Sequence, residues 1–284
     1  MTAERLPAVS RLALFRVWRE PLSRTGHLLI ANSMLNAATG VAYWLLAARL
    51  NPPSVVGVNS AAISAMMLLA GLAQLNLTST ILRFAPTAGA AARPLISGAF
   101  LVGTALSGLA ALCFVLGLRV WEPQLSGLLG SSLRGAVFVL ATMAWSAFVI
   151  QDGALVAVKR AAAVPIENTS FAVLKIVLVV GLSLAVPGMG IWLSWTGAMV
   201  LAVAVTTTYL FWRALPAFTK AVPPGTAQVA SLRELCRFAL PDYVGAVAWI
   251  ASTSLVPLIV LDLTDARQAA AFSLPWQICL ALYA

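Results

Sequence analysis

Residues 95–118 read LISGAFLVGTALSGLAALCFVLGL, a run with no charged side chain and no break long enough to end it. A helix crosses a hydrocarbon core about 30 Å thick with roughly 20 mostly apolar residues, because lipid offers no partner to an unpaired backbone group. This run is therefore read as a membrane-spanning helix. Working outward, seven further stretches have the same character: residues 27–49, 56–80, 134–157, 167–186, 190–212, 239–261 and 268–284. Short turns separate them. Eight spans in one chain predict an all-α polytopic membrane protein.

Composition agrees. Of 284 residues, 61% are hydrophobic and 10% are charged, with a mean hydropathy of +0.94; soluble domains carry about 25% charged residues. The net charge of +9 points to membrane lipid headgroups and topology, not to nucleic acid, because the basic residues flank the apolar runs. Cys113, Cys236 and Cys279 are too few and too dispersed for a disulfide framework or a metal-ligand spacing, and packing roles are expected of them. His27 is the sole histidine, so no Ser-His-acid set and no zinc trio is present. An enzyme is not expected, and neither a catalytic residue, a metal nor a cofactor is assigned.

The spans alternate direction, and basic residues favour one side. Arg5, Arg11, Arg16, Arg19, Arg24, Arg83, Arg93, Lys159, Arg160, Arg213, Lys220, Arg233 and Arg237 share one face, against Arg49, Arg119, Arg134 and Arg267 on the other. The positive-inside rule places the first face, and the amino terminus, in the cytoplasm. Residues 1–26 interleave Leu6, Val9, Leu12, Phe15 and Trp18 with arginines, which suits a basic amphipathic segment on the membrane surface.

A weak repeat organises the rest. Residues 24–61 overlay residues 237–274 at constant offset, matching Arg24 with Arg237, Leu45 with Leu258, Leu50 with Leu263 and Ser60 with Ser273. Both copies begin with a basic flank and enter from the same face, so the repeat is parallel, as in transporters built from two six-helix halves. The expected organisation is a six-helix amino-terminal lobe over 27–212, a cytoplasmic linker over 213–238, and the first spans of a second lobe over 239–284. The last span runs only to Ala284 without a basic stop, so truncation is expected.

Charges within spans are costly, about 2.5–3.5 kcal/mol each on insertion scales, and mark cavities or partners. Lys175 lies roughly 12 Å into the fifth span and Asp152 about 8 Å from the end of the fourth, at 1.5 Å per residue. Two readings stay open: an ion pair locking two helices, or groups on a central cavity, with Lys175 receiving an anion and Asp152 a cation or proton. Asp242, after Pro241, is read as a helix-start acid near Arg233 and Arg237, with a coupling role as its alternative. Glu167 is read the same way beside Lys159 and Arg160. Arg83 anchors the end of the second span or meets a lipid-linked phosphate. Asn32 and Asn36 share one face of the first span, and polar residues at such depth more often join helices than bind substrate.

Three stretches carry a family resemblance. Trp44-Leu45-Leu46-Ala47-Ala48-Arg49-Leu50-Asn51-Pro52-Pro53-Ser54-Val55-Val56-Gly57, continuing through Ala61-Ala62-Ile63-Ser64 to Leu82-Arg83-Phe84-Ala85-Pro86, resembles the opening of bacterial polysaccharide flippases of the O-antigen type. Their superfamily also contains multidrug and toxin extruders and the peptidoglycan lipid flippase. The run from Val158 through Lys159-Arg160 to Pro165-Ile166-Glu167-Asn168 is similar to the family's inner loop before span five. Arg237-Phe238-Ala239-Leu240-Pro241-Asp242-Tyr243 is similar to the start of its second half. The turn at Pro52–Val55 lacks the acidic residues often found there.

The resemblance implies about 12 to 14 spans in two lobes around a cavity of alternating access. The cargo it implies is a polyprenyl-pyrophosphate-linked oligosaccharide moved across the bacterial cytoplasmic membrane for surface polysaccharide biosynthesis. Arg24, Arg83 and Lys175, with Asn32 and Asn36, are the candidate substrate contacts, and Asp152 and Asp242 the candidate coupling or ion-pair residues. Membrane lipids, a polysaccharide polymerase and glycosyltransferases are the implied partners. A cation-coupled multidrug extruder of the same fold and a noncatalytic membrane scaffold are the alternatives.

Overall fold

The computed structural model describes residues 21–222 and 230–283, and the side chains within them from 34 to 222 and from 230 to 280. Nine helices are named here: α1 (Pro21–Leu50), α2 (Pro53–Ala73), α3 (Leu77–Phe84), α4 (Ala92–Leu116), α5 (Ser132–Ala157), α6 (Ala163–Ala185), α7 (Gly190–Ala221), α8 (Leu232–Leu263) and α9 (Ala266–Tyr283). No strand occurs among the described residues. The segments of α2, α4, α5, α6, α7 and α8 are long and apolar enough to cross a membrane. The expected all-α, multi-pass class is what the structure shows. The amphipathic reading of residues 1–26 falls almost wholly outside the described residues.

Local chemistry sets the helix ends. Pro53 opens α2 at a position where a missing N–H costs nothing, and Ser131 accepts from Arg134 N to cap α5. A capping box between Ser231 and Glu234 starts α8. Asp265 Oδ1 accepts the N–H groups of Arg267 and Gln268, both at 2.8 Å, and starts α9. Gly188, at φ +85°, makes the tight α6–α7 turn.

Two departures from the sequence reading, at α2 and at α8, have a local reason. The expected single span over 56–80 is broken: Leu75 (φ 53°) and Asn76 (φ 50°) adopt the left-handed conformation and divide α2 from α3. Asparagine tolerates that region, and neighbours satisfy the opened backbone. Tyr243 Oη donates to Leu72 O at 2.7 Å, and Asn76 Nδ2 donates to Asp242 Oδ2 at 2.5 Å. The second difference is at α8, which the capping box starts well before 239. Residues 213–238, expected as a linker, carry the last turns of α7 and the first of α8, and 223–229 lie outside the described residues. Single π-turns interrupt α7 at Leu210–Ala214 and α8 at Ala251–Leu255, and such turns often accompany function.

Helix α1 packs on α6, α4 on α5, and α6 on α7. The core joins them through Tyr43, Met66, Phe138, Trp192 and Met199, all fully buried. Buried polar side chains act as ties between helices, as their depth suggested. Asn59 Nδ2 donates to Gly188 O at 2.8 Å while its Oδ1 accepts from Trp192 N at 3.0 Å. Asn51 Nδ2 donates to Ser183 Oγ at 3.0 Å. The three cysteines are free and exposed, not packing residues; their surroundings in sequence are apolar on every helix face, so hydropathy carries no direction for them.

Helices α8 and α9 lie against α1, α2 and α3. At the α2–α9 crossing, Ser60 Oγ and Ser273 Oγ are 2.9 Å apart. These are the residues that the internal repeat equates. Gly57 makes the close approach possible, because a Cβ there would stand 1.9 Å from Ala266 O. The expected effect of Gly57→Ala is to force α9 away, at about 1–3 kcal/mol of overpacking strain. Paired cysteines at 60 and 273 should form a disulfide readily in the parent and slowly in the Gly57→Ala background.

Candidate functional site

Polar chemistry inside the first lobe gathers where α1, α5, α6 and α7 converge. Helix α6 starts at Ala163, earlier than the expected 167, because the Lys159 turn (φ 62°) closes quickly, with Arg160 N donating to Leu155 O at 2.8 Å. Lys175 is consequently about 18 Å from the helix start at 1.5 Å per residue, deeper than the sequence reading placed it. It no longer shares the depth of Asp152, and the two make no ion pair. The helix-locking reading of that pair is thereby overturned.

Lys175 instead enters an aromatic cage. Its Nζ lies 4.0 Å from the ring centroid of Trp195, 4.7 Å from Phe171 and 5.2 Å from Tyr43. The residue is only 5% exposed. Tyr43 is held by its hydroxyl, which donates to Ile191 O at 2.8 Å and meets Ser194 Oγ at 3.0 Å. Trp195 is backed by Trp44 and Trp145. A ring face is electron-rich, so each contact attracts an ammonium by about 0.5–1 kcal/mol, and more when desolvated. The cage holds a cation at membrane depth without a carboxylate.

Nearer the Lys159 end is a second group. Glu167, expected as a helix-start acid beside Lys159 and Arg160, is buried, and Gln151 Nε2 donates to its Oε1. Gln151 Oε1 accepts from Thr207 Oγ1 at 2.8 Å, and Thr206 also lies against Glu167. Asp152 faces Glu167 and Asn168, with Oδ1 buried and without a hydrogen-bond partner. Two carboxyl groups thus share an interior site with four amide or hydroxyl side chains and, among the described residues, no basic partner. Gln151, Thr206 and Thr207 were missed from sequence. Polar residues on the apolar spans α5 and α7 were the available signal.

A groove of about 710 Å³ runs between α6 and α7 beside both groups. Glu167 and Thr206 line it from the carboxylate cluster, and Phe171 separates it from the lysine cage. Ser170 and Tyr209 also line it, the remaining walls are apolar, and Lys159 and Arg160 stand at its mouth. Both basic residues are exposed.

The other candidates are scattered. Arg83 is exposed on α3, its guanidinium 4.8 Å from the Phe238 ring and 5.6 Å from Phe84. Asp242 accepts from Asn76 in the same α3–α8 contact, and it lies in the interior of α8, not at a helix start. Asn36 is half-buried on α1, where its carbonyl accepts from Thr39 Oγ1 at 3.2 Å. Arg24 and Asn32 belong to α1, and their side chains lie outside the described ones. The structure brings neither Arg83, Lys175 nor Asn36 to a common cavity.

No protein-family model matches the chain, and no curated protein does. Solved structures do. One is a MATE multidrug transporter, DinF-BH, solved as a ligand complex: TM-score 0.58, 17% identity, with 98% of this chain covering 63% of the other. Another is the inward-facing conformation of a multidrug resistance MATE family transporter of the MOP superfamily: TM-score 0.56, 15% identity, 87% of this chain and 57% of the other. The likeness is one of fold. This chain has the fold of MATE transporters of the MOP superfamily, is a multi-pass membrane protein, and spans about 60% of the length of those structures.

Proposed function

We propose that this chain is the first lobe and the beginning of the second in an alternating-access exporter. Its cargo is an amphiphile with an anionic head, a polyprenyl-pyrophosphate-linked oligosaccharide. The observation that carries this reading is the α6–α7 groove, mostly apolar and flanked at one end by Lys159 and Arg160. Such a surface suits a pyrophosphate at the membrane face and a prenyl chain along the helices. Lys175 adds a buried amine behind Phe171. No covalent chemistry is assigned to the protein. It works in the bacterial cytoplasmic membrane with its amino terminus inside, beside glycosyltransferases that make the cargo and a polymerase that consumes it.

A second reading has its own support. The Asp152 and Glu167 carboxyls, without a basic partner, suit a cation-coupled multidrug extruder, and multidrug transporters are among the fold neighbours. Complementation separates the two. The full-length gene in a flippase-deficient strain should restore surface glycan and clear the lipid-linked precursor. Persistent precursor with a gain in drug resistance would favour the extruder.

A further inference from the structure

We propose that Glu122 and Asp262 form a proton-binding site that clasps the α4–α5 connection onto the end of α8, on the opposite side of the bundle from Lys159 and Arg160. Glu122 follows the short helical turn Leu118–Trp121 and precedes the turn Pro123–Leu125. Its N–H donates to Leu118 O at 3.0 Å and its carbonyl accepts from Leu125 N at 3.1 Å, so the backbone fixes where the side chain goes. That side chain is 4% exposed, and Oε1 has no hydrogen-bond partner. A buried carboxyl oxygen without a donor is costly when charged.

The side chain faces a cavity of about 390 Å³ bounded by α2, α4, Trp121 and α8. The titratable groups facing Glu122 are Asp262 from α8 and Cys113 from α4, while α2 contributes only Ala65, Leu68 and Leu69. No basic group among the described residues pairs with either acid. The adjacent Gln124 Nε2 donates to Leu261 O at 2.5 Å and Thr264 O at 3.3 Å, fastening the same connection to the last carbonyls of α8. One charge can be housed here, and two repel across an apolar cavity. Burial first, and the Asp262 charge second, push the Glu122 carboxyl up to about 7.

Proton binding is the only bond change. A carboxylate takes a proton from water at the membrane face and becomes a carboxylic acid, leaving the pair with a single negative charge. A carboxyl released into water returns to its ordinary range near 4.5, so the closed clasp binds the proton more tightly than the open one. Closure is therefore favoured fully below about 4.5 and is progressively lost as pH rises to about 7.

The test has two readouts on the purified chain in detergent. Infrared titration should show a protonated carboxyl band that vanishes as pH rises through about 7. Glu122→Gln should remove one component of that band, read as the parent-minus-variant difference, and that component should titrate at lower pH in Asp262→Asn. The second readout is thiol labelling of Ala65→Cys, at a fully buried position that lines the cavity, in a Cys113→Ser, Cys236→Ser, Cys279→Ser background. The labelling rate of the parent relative to the Glu122→Gln protein should rise several-fold between pH 6 and pH 8. Should Glu122→Gln not fold, Glu122→Asp, which keeps the carboxyl, and Asp262→Asn carry the same comparison through the band's midpoint. An unchanged titration in Glu122→Gln or Asp262→Asn overturns the proton site, and a flat labelling ratio overturns the clasp.

Discussion

Replacing Lys175 with alanine is expected to abolish transport by the full-length protein and to leave an aromatic pocket that methylammonium or ethylammonium partly refills, restoring some activity. Three ring faces, those of Trp195, Phe171 and Tyr43, surround the Lys175 Nζ with centroids 4.0–5.2 Å away. They are held in place by the Tyr43 hydrogen bonds and the surrounding tryptophans, so the cage outlasts the loss of its occupant. A small alkylammonium supplies the same charge to the same faces. Lys175→Met discriminates further, because it keeps the length of the side chain and removes only the charge. A buried ammonium without a carboxylate is a burden on folding, so the methionine variant should melt at the same temperature as the parent or higher while remaining inactive. A methionine variant with full transport would show that the charge is not used. A strongly destabilised one would show that the cage exists for packing.

Glu167 gives the second large effect, and its two substitutions should part company. Glu167→Ala removes the acceptor of the Gln151 amide, which is fully buried and held on its other side by Thr207. An orphaned buried amide costs about 1–3 kcal/mol, so a lower melting temperature and poor membrane yield are expected. Glu167→Gln keeps size and polarity and should fold nearly as well as the parent. If the Asp152–Glu167 pair carries a coupling proton or cation, the glutamine variant loses transport with its stability intact. Should it transport normally, the cluster is a structural tie between α5, α6 and α7. Melting temperature and uptake measured on the same preparations decide between these.

The architecture was legible in the sequence because crossing a membrane imposes one rule on every span, and a one-dimensional pattern records it. The runs at 95–118, 134–157 and 190–212 correspond to α4, α5 and α7. Ser60 and Ser273, which the sequence repeat equates, meet in the structure. Direction around each helix was not. Hydropathy along α6 is apolar on every side, so nothing told that Lys175 points at three rings or that Glu167 points at Gln151. The break at Leu75–Asn76 was hidden for a related reason: it keeps the apolar composition and changes only the backbone, with Asp242 and Tyr243 of a distant helix supplying the missing partners. The interior position of Asp242 followed from a capping box read as part of a linker.

The most direct measurement is flipping itself. Full-length protein is reconstituted into vesicles holding a fluorescent polyprenyl-pyrophosphate-linked oligosaccharide, and the labelled head is followed from one leaflet to the other by its accessibility to a membrane-impermeant quencher. The account predicts protein-dependent exchange that Lys175→Met and the Lys159→Gln, Arg160→Gln pair abolish while the proteins stay folded. Vesicles in which the parent exchanges lipid no faster than empty ones, while it moves cationic drugs in the same preparation, would contradict it.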